Sequence, residues 1–167
     1  MCQLAGGISI VTVGRRPHRN GLLAASVTAL GSDVPRLMVS FDRGGFAFAQ
    51  GYPFGISVLA GHHAHLAVRF ESSKGEDAFA GACWHSLSSG APVLCDALAA
   101  MDCEIEEIIE RHAHAVVICR VLASRCIGVG SALTHWRGNY HQVSPSDEDW
   151  AARRWEPIVG SRNIGCG

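Results

Sequence analysis

Short runs of apolar and β-branched residues alternate with turn residues along the first part of the chain. The Asn20-Gly21 pair separates the first two runs and predicts a tight turn, because both residues tolerate a positive φ angle. Strands at such close spacing favour an antiparallel barrel or sandwich. The predicted strands cover residues 8–13, 22–30, 37–41 and 55–59.

Helical spacing replaces this pattern in the next stretch of the chain. Leu66, Ala67 and Phe70 would share one face of a helix. Residues 101–112 fit either a helix or a strand, and the pattern alone slightly favours the helix. Two further strands are predicted at residues 115–122 and 132–143.

The C-terminal segment predicts one more helix. Ser146 can cap its start, acidic residues follow at the positive end of the helix dipole, and Pro157 would stop it. No linker or internal repeat interrupts the chain before this point. We therefore predict one main domain over residues 1–145, followed by a helix and tail over residues 146–167.

Composition and charge narrow the possible classes of protein. Of the 167 residues, 48% are apolar and 17% are charged, which excludes a generally disordered chain and allows a sizeable core. The formal net charge is −1, so no basic surface is available for nucleic acid. No apolar run reaches the roughly 18 residues of a membrane span, and no secretion signal is expected. These features predict a cytoplasmic protein without membrane or nucleic-acid partners.

Seven cysteines are spread along the chain, and none forms a Cys-x-x-Cys pair. This pattern argues against a zinc or redox motif and favours reduced, mostly buried thiols. The nine histidines include no His-Glu-x-x-His helix, and no carboxylate stands at a familiar ligand spacing, so we expect no metal site. Ser57 lies one residue short of a hydrolase elbow, and a complete dinucleotide-binding glycine loop is missing.

Four motifs follow one another at suitable spacing. They are a glycine-initiated strand that leads to an Asp-Arg pair, a strand and helix that end in Arg-Phe, a Gly-x-Pro-x-Leu loop, and a histidine strand followed by Arg-Gly-x-Tyr. The motifs lie in residues 21–43, 55–70, 88–108 and 114–140. Together they resemble the flavin reductase family of FMN-binding split barrels. The resemblance covers about residues 4–143.

The resemblance implies a mostly β fold with minor α, a split β-barrel of the FMN-binding type with short helices. It also implies a strand rather than a helix at residues 101–112. The implied activity is that of an NAD(P)H-dependent flavin reductase, in which hydride passes from NADH or NADPH to FMN or FAD. Members of this family usually form homodimers, and some hand reduced flavin to a partner monooxygenase.

The resemblance also assigns residues to the site. His114 would be catalytic and would lie on the nicotinamide side, together with Arg137 and Tyr140. The implied cofactor-binding residues are Leu23, Ala24, Ala25, Ser26, Asp42, Arg43, Gly44, Gly45, Ser57, Arg69 and Phe70.

Several of these positions differ from the family pattern. Leu23 and Ala25 stand where Thr and Ser are expected, and Ser57 replaces Asn, so hydrogen-bonding groups are missing. Each lost hydrogen bond would cost about 0.5–1.5 kcal/mol of binding free energy. Two alternatives therefore stay open: a split-barrel protein that binds another ligand, such as a haem, a pterin or a deazaflavin, without reductase turnover, and a dimeric domain that has lost its cofactor.

Overall fold

A computed structural model describes residues 3–31, 34–42, 49–126 and 130–145. In this part of the chain there are twelve strands, one α-helix, α1 (Ala64–Ser72), and short 3-10 helices at Gly61–His63 and Gly75–Phe79. The strands are β1 (Gly6–Gly7), β2 (Ser9–Val13), β3 (Asn20–Ala24), β4 (Val27–Leu30), β5 (Arg36–Asp42), β6 (Pro53–Val58), β7 (Trp84–Ser86), β8 (Pro92–Leu94), β9 (Ala99–Arg111), β10 (His114–Cys126), β11 (Ala132–Trp136) and β12 (Asn139–Val143). The predicted fold class, mostly β with minor α, is confirmed. None of the described helices is long and apolar enough to cross a membrane.

Seven strands form an antiparallel sheet in the order β3-β2-β6-β9-β10-β5-β4. Strands β3 and β4 lie at opposite edges of this sheet, yet only Ala25 and Ser26 separate them along the chain. Because the three Cα–Cα steps of this link reach only about 11 Å, the sheet must curl until its two edges approach. The sheet is therefore a barrel. The Ser40 amide donates to the Ser26 carbonyl at 3.0 Å and holds the link against β5.

Two hydrophobic cores lie on the two faces of the barrel wall. Strand β2 shows the division, because Val11 points into the barrel while Ile10 points outwards into the second core. Both side chains are fully buried. Burial on both faces explains why this strand is an unbroken apolar run rather than an alternating one. Other side chains of the barrel core are Val39, Ile56, Ile105 and Val117.

The second core is covered by α1 and by a small sheet in the order β1-β11-β12. Leu66 and Phe70 of α1 pack there, as the helical spacing predicts. The amide of Leu133 donates to the Leu59 carbonyl, and its carbonyl accepts from the Ile8 amide, both at 3.0 Å. These bonds tie the small sheet to the barrel. Strands β7 and β8 pair separately as a two-stranded sheet.

The predicted turn at Asn20-Gly21 is wrong, because both residues belong to β3. The chain reverses over residues 14–19 instead, a stretch that contains a cis peptide bond between Arg16 and Pro17. Gly21 is required for a different reason. A Cβ atom at this position would lie 2.4 Å from Cε1 of Phe70, so only glycine lets the ring pack against the strand.

The structure corrects two predicted strands and confirms a third. The run at residues 22–30 is broken at Ala25 and Ser26, where the chain crosses from one sheet edge to the other. The run at residues 132–143 is a hairpin, because Arg137 (φ 52°) and Gly138 (φ 80°) form a two-residue turn. Residues 101–112 follow the resemblance and lie almost wholly in the 13-residue strand β9. The predicted C-terminal helix lies outside the described residues.

The cysteines agree only partly with the expected reduced thiols. Cys103 and Cys119 are free and buried in the barrel core, and Cys126 is free and exposed. Cys83 and Cys95, in contrast, form a disulfide that joins the two ends of the β7–β8 hairpin, with their Cα atoms 5.4 Å apart. Their separation of 12 residues gives no local sequence motif, because strand pairing is what brings them together.

Candidate functional site

The end of the barrel where β3 meets β4 collects the largest group of predicted site residues. His114 opens β10 and pairs in register with Asp42, the last residue of β5. Ser26 lies beside Ser40, two residues before Asp42 on the same strand. The strand-end site, defined here as the backbone of residues 23–26 with Asp42 and His114, is therefore assembled by the closure of the barrel.

The side chains of this link divide between core and surface. Ala24 is 1% exposed and fills the barrel core, whereas Ala25 and Ser26 are exposed. Gly6 of β1 approaches from the small sheet so closely that a Cβ there would lie 2.7 Å from the Ala25 carbonyl oxygen. The small residues Gly6 and Ala25 let the two backbones approach closely, and the exposed side of Ala25 and Ser26 carries no bulky side chain that would exclude a flat ring. Arg43, Gly44 and Gly45 lie outside the described residues.

Leu23 faces away from the barrel and leads to a second group of predicted residues. It packs against the second core, which contains Phe70 and is also touched by Tyr140. The ring of Phe70 is 6% exposed and lies 5.3 Å from Phe79 and 5.8 Å from Trp84, centroid to centroid. These contacts leave the ring of Phe70 little room to move.

Arg69 and Tyr140 each make a hydrogen bond to a residue near Phe70 in sequence or in space. A guanidinium nitrogen of Arg69 donates to the Ala80 carbonyl. The hydroxyl of Tyr140 donates to Oε1 of Glu71 at 2.6 Å and so joins β12 to the end of α1. Burial, together with the hydrogen bond and negative charge of Glu71, raises the pKa of Tyr140 well above its usual value. The phenol is therefore a hydrogen-bond donor at any physiological pH.

Arg137 sits at the tip of the β11–β12 hairpin and is exposed. Its Nε donates to Oε1 of Gln3 at 3.2 Å, and its guanidinium carbon lies 4.7 Å from the centroid of the Trp136 ring. The sequence singled out Arg137 and Tyr140 but missed their partners Gln3 and Glu71. The position of Glu71 directly after the Arg69-Phe70 motif was the available signal.

Ser57 stands apart from the other predicted residues. It lies in the middle of β6 between β2 and β9 and is fully buried. Its hydroxyl oxygen accepts a hydrogen bond from the Leu94 amide at 3.0 Å. The side chain thus anchors β8 to the barrel wall, and the structure does not bring it together with the strand-end site.

Three potential metal ligands come together away from this site. His62, His63 and Asp96 place one ligand atom each within 4.8 Å of the others. The Ala60 amide, however, donates to Nδ1 of His63 at 3.0 Å, so the ring proton must sit on Nε2, the nitrogen that would face a metal. That Nε2 lies 3.2 Å from Oδ2 of Asp96, within ion-pair distance but without the geometry of a hydrogen bond. Burial lowers the pKa of His63, which keeps the ring neutral.

The curved barrel has the fold expected of the flavin reductase class, and comparison with known proteins shows that the chain belongs to it. The model of the flavin reductase like domain matches residues 1–144, so the chain belongs to that family. It is 32% identical over 151 residues to "FMN reductase (NADH) RutF" of Bradyrhizobium diazoefficiens, covering 88% of this chain and 84% of the relative. It is 35% identical over 149 residues to "FMN reductase (NADH) RutF 2" of Methylorubrum extorquens, covering 87% and 86%.

Solved structures of flavin reductases share the fold. The flavin reductase domain protein of Arthrobacter sp. superposes with a TM-score of 0.75 at 26% identity, covering 87% of this chain and 92% of that one. The styrene monooxygenase flavin reductase of Pseudomonas putida gives the same TM-score and identity, covering 87% and 95%. The predicted family and the split-barrel fold are thus confirmed.

Proposed function

We propose that this protein is an NADH-dependent flavin reductase that reduces FMN. The observation that carries the proposal is the strand-end site, where the open backbone of Ala25 and Ser26 lies beside the in-register pair of Asp42 and His114. Family membership over residues 1–144 and the FMN reductase names of relatives at 32% and 35% identity support the same activity. FAD and NADPH are tested beside FMN and NADH.

The proposed roles follow from position. The backbone of residues 23–26 and the segment 42–45 would hold the flavin, and Arg69 and Phe70 would bound it on the side of the second core. A bound flavin would supply the hydride-accepting chemistry, and the protein's own residues would orient the two rings and exclude water. His114 would contact the nicotinamide side as the catalytic residue, with Arg137 and Tyr140 shaping the same pocket. The Ser57 hydroxyl oxygen already accepts from the Leu94 amide, so its proposed cofactor role would be that of an O–H donor.

The proposal extends to assembly and location. We propose a homodimer and a cytoplasmic location, both of which the family resemblance implies, and size-exclusion chromatography with light scattering tests the first. A partner monooxygenase is also proposed, because one structural relative is named as the reductase of styrene monooxygenase. The Cys83–Cys95 disulfide is unusual for a cytoplasmic protein.

The decisive experiment measures the oxidation of NADH and of NADPH with no flavin, with FMN and with FAD, beside the absorption spectrum of the purified protein. We expect turnover that requires added or bound flavin. A folded protein without turnover at saturating flavin would refute the proposal. A different bound chromophore would then favour the binding-protein alternative, which the internal use of the Ser57 hydroxyl supports.

His114 is tested by replacement with Gln, with His112→Asn as the matched control. His112 lies two residues away in the exposed β9–β10 turn at φ 53°, a conformation that Asn tolerates well. We expect reductase activity to fall by about 10²-fold or more in His114→Gln, as for loss of a general acid–base or orienting group, and to stay unchanged in His112→Asn. Equal activity in both variants would remove His114 from the mechanism.

A further inference from the structure

A cleft of about 630 Å³ opens at the other end of the β2–β3 hairpin from the strand-end site. One wall is the reversal at residues 14–19, which contributes three arginines. The other wall is the β7–β8 hairpin with its connecting loop. The residues that line the cleft include Arg15, Arg16, Arg19 and His85.

The charged side chains that line this cleft in the described part of the chain are all arginines, and they differ in how they are paired. Arg19 is 7% exposed and binds the Glu76 carboxylate through Nη2 at 2.6 Å and Nε at 3.0 Å. These bonds lower the pKa of Glu76 to about 2. Arg19 is therefore neutralised by a protein carboxylate and serves the fold.

Arg15 and Arg16 have no such carboxylate of their own. Arg15 donates only to the Ser89 carbonyl, at 2.7 Å, and Arg16 makes neither a hydrogen bond nor an ion pair with any residue the structure describes. Arg16 acts on Glu76 only weakly and through space, because Arg19 already holds that carboxylate. Two guanidinium groups thus leave the cleft with uncompensated positive charge.

His85 lines the same cleft from the opposite wall. Both of its ring nitrogens are buried, and neither has a hydrogen-bond partner among the described residues. Burial, and to a smaller extent the charge of Arg125, lowers the pKa of His85, so the ring is neutral and carries one N–H donor and one acceptor. Buried polar groups without partners are rare in native proteins, because leaving a hydrogen bond unmade is costly.

The wall formed by the β7–β8 hairpin, which carries His85, is held in place by hydrogen bonds and a disulfide. The Ser89 amide donates to the buried carboxylate of Asp102 at 2.5 Å, and the Ser89 hydroxyl donates to the same carboxylate. The Cys83–Cys95 disulfide closes the base of the hairpin. Such preorganisation lowers the entropic cost of binding.

We propose that this cleft binds a phosphoryl group of a small molecule, at a site separate from the strand-end site. Guanidinium groups match phosphate oxygens in a bidentate manner. The volume suits a small molecule rather than a protein segment. Because β3 runs from Asn20 to Ala24, the two sites are separated by about 13 Å of strand. The phosphoryl group comes either from a free phosphate compound or from the far end of a dinucleotide bound at the strand-end site.

The test uses inorganic pyrophosphate as the probe, measured by calorimetry on the full chain at low ionic strength. Arg16→Gln is the main variant, because Arg16 makes no hydrogen bond or ion pair within the described structure that its loss would disturb. We expect the Kd to rise about tenfold, as for the loss of one charge-assisted hydrogen-bonding group. The double variant Arg15→Gln/Arg16→Gln should lose binding further. Failure of the wild-type protein to bind pyrophosphate would overturn the proposal.

The matched control is Arg120→Gln, which removes the same charge from the exposed β10 surface, where Arg120 pairs with Glu104 at 3.0 Å. Its Kd for pyrophosphate should equal that of the wild type, and an equal loss would show diffuse charge attraction instead of a site. Perturbation of the His85 ring signals by pyrophosphate in NMR spectra checks the location independently.

Binding measurements with FAD and FMN distinguish the two possible sources of the phosphoryl group. If Arg16→Gln weakens FAD binding but leaves FMN binding unchanged, the cleft takes the far phosphate of a dinucleotide. If FMN and pyrophosphate bind together without competition and FAD affinity is unchanged, the cleft serves a separate compound. Either result supports a phosphoryl-binding site in the cleft. Neither measurement requires NADH turnover, so the two proposals can fail independently of each other.

Discussion

The contact between Gly21 and Phe70 allows a quantitative prediction. In Gly21→Ala the new Cβ would lie 2.4 Å from Cε1 and 3.2 Å from Cδ1 of the Phe70 ring, and 3.2 Å from the Val11 carbonyl oxygen. The carbonyl belongs to the β2 ladder and cannot move. The ring is confined by Phe79 and Trp84. The added methyl group therefore has no space to occupy.

Overpacking of this kind costs about 1–3 kcal/mol of unfolding free energy. For a domain of this size each kcal/mol lowers the Tm by about 2–4 °C, so we expect Gly21→Ala to melt several degrees below the wild type. Because Phe70 is also a proposed flavin-contact residue, displacement of its ring should weaken flavin binding in the same variant.

Urea unfolding followed by circular dichroism measures this cost. Gly7→Ala is the control, because a Cβ at this strand glycine meets no atom within 4 Å. It should be neutral or stabilising by about 0.4–1 kcal/mol through the unfolded state. Phe70→Leu supplies the room that Gly21→Ala lacks, so the double variant should lose less stability than the sum of the single losses. Additive losses, or a Gly21→Ala protein as stable as the wild type, would refute the packing argument.

Three further outcomes are expected. Alkylation of the denatured, unreduced protein, mapped by mass spectrometry, should label Cys103, Cys119 and Cys126 but not Cys83 and Cys95, which are joined, and should label these two only after reduction. Tyr140→Phe should cost about 0.5–1.5 kcal/mol of stability through loss of the Glu71 hydrogen bond. Because the pKa of His63 is lowered in the folded protein, the unfolded chain takes up the proton first, and stability should fall as pH drops below about 6.5.

Each of these has its own control. Tyr52→Phe removes a hydroxyl that makes no hydrogen bond within the described structure and should not change stability. His63→Asn can still accept from the Ala60 amide and should reduce the acid slope, whereas exposed His62→Asn should leave it unchanged. Alkylation of Cys83 and Cys95 before reduction, equal losses for the two tyrosine variants, or an unchanged slope in His63→Asn would contradict the respective arguments.

Local patterns were enough for most of the fold. The unbroken run at residues 8–13 and the helical spacing of Leu66 and Phe70 follow from burial that repeats along one element. Pattern alone left residues 101–112 open, because Ile105, Ile108 and Ile109 suit either period. The resemblance decided for a strand, and the structure agrees.

The errors have long-range causes. Gly21 looked like a turn residue, but the ring of Phe70, far along the chain, is what demands it. The hairpin turn at Arg137 was missed because a positive φ is uncommon for arginine. The Ser57 hydroxyl and the disulfide both depend on β8, whose neighbours cannot be read from the sequence. The cleft could not be predicted from the sequence, because its arginines and His85 lie about 70 positions apart along the chain.

The short link of Ala25 and Ser26 has a consequence for the dynamics of the barrel. The place where the edge strands β3 and β4 meet is the seam of the barrel. Separation of the two strands at this seam would disrupt the strand-end site, so any ligand bound there must dissociate first. A ligand with affinity only for the closed form suppresses that opening by mass action. Amide hydrogen exchange in β3 and β4 should therefore slow in proportion to the concentration of free flavin, while exchange in β12 keeps its own rate. The exchange rate of the β3 and β4 amides would then report how much of the strand-end site is occupied by flavin.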